Sequence, residues 1–167
     1  MLLTKVVLND LGFYRGRNEF DFKTTQEKPI VLIGGTNGAG KTTLFESIML
    51  CLYGKESFDE KKSNAQYQEA VGRQIHRYLG TKKSAEEASV VIEFQFSHEG
   101  KIDEFQVIRM WQNNDGRIDE TLTIKKKNPS DEQFDELDSV EKSHWQVFID
   151  QLIPRGIVKL FFFDGEK

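Results

Sequence analysis

Residues 2–8 are rich in leucine and valine and predict an opening strand. Residues 12–18 are polar and arginine-bearing, expected as a loop, with residues 19–22 a short second strand. Lys28-Pro29 leads into Ile30-Val31-Leu32-Ile33, four consecutive apolar residues with proline before and glycine after. That pattern predicts a central strand buried on both faces. Leu44, Ile48 and Leu52 then recur at four-residue steps, with Phe45 and Met49 alongside, so a broadly apolar helix is expected to pack on the sheet. Tyr53-Gly54 supplies its stop. Residues 55–64 read as a charged surface connection, residues 67–79 as a second helix closed by Gly80, and residues 81–88 as another polar link.

The middle of the chain changes to period two. Val90, Ile92, Phe94 and Phe96 alternate with Val91, Glu93, Gln95 and Ser97, which predicts a half-buried strand. A turn at His98-Glu99-Gly100-Lys101 leads to a return strand over residues 105–111. Asn113-Asn114-Asp115-Gly116 is a strong hairpin signal, because Asn and Gly tolerate positive φ. A third strand over residues 121–125 completes an antiparallel meander. Residues 128–138 are acidic and loop-like. Trp145, Phe148, Ile149 and Leu152 form one apolar stripe on a helix that Pro154 stops, and residues 158–163 predict a final strand.

Composition adds limits. The chain has 167 residues, enough for one domain with its own core, and its 13 phenylalanines against three prolines argue for a folded chain. With 27 acidic and 23 basic residues the net charge is −4, so no overall cationic field draws nucleic acid, and DNA contact is expected to be local or through a partner. Cys51 is the only cysteine, which excludes an internal disulfide and a thiolate cluster, and it is expected as a small buried hydrophobe. His76, His98 and His144 have no zinc-ligand spacing. No apolar run reaches a bilayer span and the N-terminus lacks a signal-peptide profile, so no membrane association and a cytoplasmic location are expected.

The decisive chemistry is Gly35-Thr36-Asn37-Gly38-Ala39-Gly40-Lys41-Thr42, which fits the P-loop pattern G-x-x-x-x-G-K-[ST]. A chain of this length meets that pattern by accident about 0.6% of the time. Glycines let successive N–H groups point inward at a phosphate chain, and the following helix adds its positive end. Lys41 is expected to reach the β- and γ-phosphates, the Thr42 hydroxyl to ligate Mg²⁺, and Thr43 to donate to the α-phosphate. No Asn-Lys-x-Asp base-reading motif of small GTPases occurs, and no arginine-rich lid of nucleotide kinases.

The stretch Ile33-Gly34-Gly35-Thr36-Asn37-Gly38-Ala39-Gly40-Lys41-Thr42-Thr43-Leu44, followed by Leu52-Tyr53-Gly54, resembles the N-terminal lobe of SMC-like ABC ATPases, which include DNA break-repair and chromosome-maintenance proteins. Tyr14-Arg15-Gly16-Arg17, Ile75-His76-Arg77, Leu152-Ile153-Pro154-Arg155-Gly156-Ile157 and Leu160-Phe161-Phe162-Phe163-Asp164-Gly165-Glu166-Lys167 bring the resemblance to DNA sulfur-modification (phosphorothioation) ATPases of the DndD type, along nearly the whole chain. The resemblance implies an α/β P-loop NTPase fold, the N-terminal lobe of an ABC/SMC-type head, with a mixed sheet and an antiparallel meander. One lobe over residues 1–167 is then expected: a P-loop core of residues 1–80 and 154–167, the meander at 88–127 and a helix at 139–153. It also implies ATP and Mg²⁺ sandwiched between two heads, with the signature motif, Walker B carboxylates and switch histidine on a C-terminal lobe beyond a long coiled coil. The implied partners are that lobe, a second head in a homodimer, other DNA sulfur-modification proteins, and DNA. ATP hydrolysis would be coupled to DNA, with negligible turnover by this chain alone.

Two readings of the last motif stay open. As residues, 160–164 form a hydrophobic strand ending in a carboxylate, so Asp164 could hold Mg²⁺ through water and Glu166 could activate the attacking water. By resemblance, the position is that of the Q-loop, with Asp164 standing in place of glutamine. Arg15 and Arg17 lie where SMC-like heads place a basic residue near the nucleotide. Lys61-Lys62 and Lys125-Lys126-Lys127 are candidates for DNA phosphates or for plain solvation. Trp111 and Trp145 are expected in the core. Three rivals to the sulfur-modification reading remain: a general SMC-like DNA-repair ATPase, a self-sufficient small P-loop NTPase using Asp164 and Glu166, and a non-catalytic interaction module with a degenerate P-loop.

Overall fold

Alternating apolar residues build one antiparallel sheet in the computed structural model, which describes residues 1–58, 63–81, 83–130, 132–137 and 142–154. Its strands are β1 (Leu2–Leu11), β2 (Tyr14–Asp21), β3 (Glu87–His98), β4 (Lys101–Asn114), β5 (Arg117–Lys127) and β6 (Phe134–Glu136), in the order β2-β1-β3-β4-β5-β6. All pairings in this sheet are antiparallel. Register brings Val90 opposite Arg109, Ile92 opposite Val107 and Phe94 opposite Phe105, so the inward residues of β3 and β4 share one face. Helices α1 (Lys41–Tyr53), α2 (Asn64–Gln74) and α3 (Lys142–Leu152) complete the fold. α1 lies against β1, β3 and β4, α2 against β5, and α3 against α1. Between them Val6, Leu8, Leu44, Cys51, Ile92, Val107, Trp111 and Trp145 are buried. The expected core positions of Cys51, Trp111 and Trp145 are therefore observed.

The fold belongs to the α/β P-loop class with the expected meander, and several local expectations need correcting. The arginine-bearing stretch is strand, not loop: β1 and β2 form a hairpin closed at Gly12-Phe13, with Leu11 opposite Tyr14. The second helix starts earlier and ends sooner than expected. Ser63 and Gln66 form a capping box, the Gln66 N–H donating to Ser63 Oγ at 3.2 Å and the Ser63 N–H to Gln66 Oε1 at 2.8 Å. It stops at Gln74 because Ile75 turns extended and bridges Leu11, and the His76 N–H donates to the Asp10 carbonyl at 2.8 Å. The acidic stretch after β5 contributes β6, which pairs Lys127 with Phe134.

The largest departure is residues 30–33. They form no strand, and Ile30 and Leu32 are 82% and 90% exposed. Among the described residues no strand lies beside them to bury these side chains, and the parallel part of the expected mixed sheet is likewise absent there. The predicted strand at 158–163 and the start of the predicted helix at 139–141 lie outside the described residues.

Candidate nucleotide-binding site

Residues 35–40 curl into a loop that runs directly into α1. The Ala39 N–H donates to the Thr36 carbonyl at 3.1 Å, and the first helical bond, Leu44 N–H to the Gly40 carbonyl, is 2.9 Å. Gly38 and Gly40 have φ of +80° and +94°, a left-handed backbone that glycine adopts without a Cβ penalty. Helix α1 begins at Lys41 with no side-chain cap and no acidic residue in its first turn. Its leading N–H groups and positive end are thus open to an anion. The Lys41 ammonium sits over the loop, donating to the carbonyls of Gly35 at 2.7 Å and Thr36 at 3.0 Å. Thr42 is exposed and Thr43 half-buried at the same helix end.

The β1–β2 hairpin braces this end of the helix. The Tyr14 hydroxyl donates to the Gly40 carbonyl at 2.9 Å, and a Cβ at Gly40 would lie 3.0 Å from that oxygen. Burial holds the Tyr14 phenol above the ordinary range, so it stays a donor at neutral pH. Gly12, with φ +57°, lies so close to the Thr43 methyl that a Cβ would collide with it. Its N–H donates to the Gln74 carbonyl at 2.6 Å, and His76 Nδ1 contacts its carbonyl at 2.9 Å. A carbonyl oxygen only accepts, so His76 Nδ1 is the donor of that bond. Beside the hairpin tip is a 460 Å³ pocket whose lining includes Gly12, Phe13, Thr43, His76, Arg77 and Leu79.

The motif residues Gly35, Thr36, Asn37, Gly38, Ala39, Gly40, Lys41, Thr42 and Thr43 are thus one continuous loop and helix start. The two arginines point to other partners. Arg15 lies over the Tyr78 ring, 5.5 Å from its centre, and Arg17 pairs with Glu19 at 2.7 Å. That carboxylate also takes Lys5 at 3.0 Å, and hydrogen bonds from both cations hold it below the usual carboxylate range. Asp164, Glu166 and Lys61-Lys62 lie outside the described residues. In the other lysine run, Lys126 pairs with Asp103 at 2.9 Å and Lys127 with Glu104 at 3.5 Å. Sequence reasoning gave Gly12 no role, and it quoted Tyr14 and His76 in motifs of the resemblance without placing them at this site. The signal was an isolated glycine between two strand-like runs, followed by an aromatic at the first position of the return strand.

The arrangement fits a phosphate chain: two left-handed glycines, an uncapped helix start and a lysine above it. For Mg²⁺, the described residues hold no cluster of three His, Cys, Asp or Glu side chains, and they offer the Thr42 hydroxyl. No described helix is long and apolar enough to cross a membrane.

The sequence profile of the family described as AAA domain matches residues 5–167. The chain is 52% identical over 54 residues to the DNA double-strand break repair Rad50 ATPase of Nanoarchaeum equitans, covering 32% of this chain and 6% of that protein. It is 37% identical over 57 residues to the SbcC component of the SbcCD nuclease of Vibrio cholerae, 34% of this chain and 6% of the relative. Against the same component of the Staphylococcus aureus nuclease it is 30% identical over 91 residues, 54% of this chain and 8% of the relative. The chain therefore matches less than a tenth of the length of each of these relatives.

Proposed function

The chain belongs to the AAA domain family, and from that premise we propose that it binds Mg·ATP as one lobe of a larger DNA-maintenance ATPase. The observation that carries the reading is the loop of residues 35–40 folded under the Lys41 ammonium at an uncapped helix start. In it the loop and the leading α1 N–H groups would hold the triphosphate, Lys41 would neutralise the β- and γ-phosphates, Thr42 would hold Mg²⁺, and Thr43 would donate to the α-phosphate. The pocket beside Gly12 and His76, which Thr43 also lines, would be open to the nucleoside.

Hydrolysis needs more than the described residues provide: a positioned water and carboxylate, and donors closing over the γ-phosphate. In this reading they come from a second lobe and a second head in a homodimer. The exposed apolar residues 30–33 support that view, as does the small share of each relative that the chain matches. The similarity to SbcC and Rad50 favours DNA break repair as the process coupled to hydrolysis. The resemblance of residues 160–167 to DndD-type proteins favours DNA sulfur modification, with other proteins of that pathway as partners.

Titration with Mg·ATP tests the core of the proposal. The wild-type protein binds, and Lys41→Ala, which removes a charge-assisted donor worth about 2–3 kcal/mol, weakens binding about 30- to 150-fold. Equal binding by the two proteins overturns the P-loop reading. For the process, deleting the gene and probing genomic DNA for iodine-sensitive phosphorothioate linkages separates the two: their loss supports sulfur modification, while intact linkages with raised sensitivity to double-strand breaks support repair.

A further inference from the structure

We infer that Arg109 is a positioning residue for the nucleotide site, acting through the far end of the P-loop helix; the inference rests on the P-loop reading above. Helix α1 has no basic residue in its own last turn. Its terminal carbonyls are answered by the adjoining Gly54 cap and by side chains from elsewhere in the fold. The Leu50 carbonyl takes the Gly54 N–H, the Cys51 carbonyl takes Arg109 Nε at 2.9 Å, and the Leu52 carbonyl takes Trp145 Nε1 at 3.1 Å. Arg109 is 5% exposed, at an inward position of β4 where its neighbours in phase are Val107 and Trp111.

The guanidinium is held from a second side. Its Nη1 pairs with the Glu120 carboxylate of β5, which also accepts the Tyr67 hydroxyl of α2 and Trp111 Nε1 at 3.2 Å. One buried cation thus joins the end of α1 to β4, β5 and α2. Gly54 makes room for it: φ there is +54°, and a Cβ would stand 2.5 Å from Nη1.

A buried ion pair is weak support for net stability, because desolvation offsets its attraction and an apolar pair of similar volume packs as well. What it does supply is a fixed geometry between helix end and sheet. The 13 residues of α1 span about 20 Å, so a tilt at Cys51 is carried by a stiff rod to the N–H groups at Lys41. Those donors must lie within a few tenths of an ångström of a phosphate oxygen's ideal hydrogen-bond distance to bind it well. The positive charge of Arg109 at the helix C-terminus also complements the helix dipole.

The test titrates Mg·ATP into wild-type, Arg109→Met, Arg109→Lys and Lys41→Ala proteins, at a temperature where thermal melts show each fully folded. Ile118→Ala, in a buried position of β5, serves as a destabilised control. Arg109→Met is expected to lose about 5- to 20-fold in affinity and Arg109→Lys less, while Ile118→Ala binds like wild type. Hydrogen exchange of residues 41–45 quickens in Arg109→Met and not in the control. Wild-type affinity and exchange in Arg109→Met, with Lys41→Ala defective, overturn the positioning role alone. Failure of wild type to bind more tightly than Lys41→Ala overturns the P-loop reading and this inference with it. An equal loss of affinity in Ile118→Ala also overturns the inference, since general loosening then explains the effect.

Discussion

The Tyr14 hydroxyl donates to the Gly40 carbonyl across a separation of 26 positions, and this bond ties the hairpin to the phosphate loop. Tyr14→Phe keeps the ring and removes the donor. It is expected to lower stability by about 1 kcal/mol, read from denaturant midpoints. Cys51 gives a second check at this scale. It is fully buried, and burial pushes its thiol up to about 12. The unfolded chain forms thiolate near its ordinary range while the native chain does not, so this contribution is present below that range and is lost as pH rises towards 12. At pH 8 a thiol reagent is expected to find no reactive thiol in the native protein and one per chain in denaturant; rapid native labelling would contradict the burial. The contrast between these residues shows what the sequence discloses. Lys41 and Thr42 were legible because the P-loop is contiguous, and the loop closes on itself through near neighbours. Tyr14 and His76 were not, since their partners lie 26 and 64 positions away and no local pattern encodes that pairing.

Element types were readable where one face is buried and period is strict, as in β3 and β4, and where a broadly apolar run ends at a glycine, as in α1. Boundaries failed where tertiary pairing overrode a local pattern. The stretch around Arg15 and Arg17 carries polar side chains, yet it is strand because β1 supplies a ladder along its length. Helix α2 stops at Gln74 because Ile75 finds Leu11, although the apolar pattern runs on. Arg109 and Glu120 interrupt the inward phase of two strands, and such charged residues in phase with core positions are the one trace of the buried network that the sequence held. The helix start is testable. Ser63→Ala removes the acceptor of the capping box and is expected to cost about 1 kcal/mol. Trp145→Ala strips α3 of the ring buried against the core and of its bond to the Leu52 carbonyl. Its expected cost is about 3–5 kcal/mol, read from thermal melts together with earlier proteolysis within α3. A smaller cost than that of Ser63→Ala would place α3 outside the cooperative unit.

At the scale of the whole molecule, residues 30–33 are the feature that sequence and structure disagree on, and the disagreement has a physical content. A run of four apolar residues is the pattern of a strand buried on both faces, and here it lies outside the sheet and exposed, directly before the P-loop. Both observations hold together if strands from the proposed second lobe flank it in the complete head. Leu32 offers a clean test because it is 90% exposed. In this chain Leu32→Asp should change stability by no more than about 0.5 kcal/mol, the range of ordinary surface substitutions. In the complete head the same carboxylate would be buried between strands without a partner, at a cost of several kcal/mol. The expected outcome is an unchanged melting temperature for the 167-residue chain, and loss of lobe association and of ATP turnover in the proposed two-lobe head. Normal turnover with Asp at position 32 would mean that this segment stays at the surface, and the idea of a sheet shared between two lobes would fall while the phosphate loop itself stood.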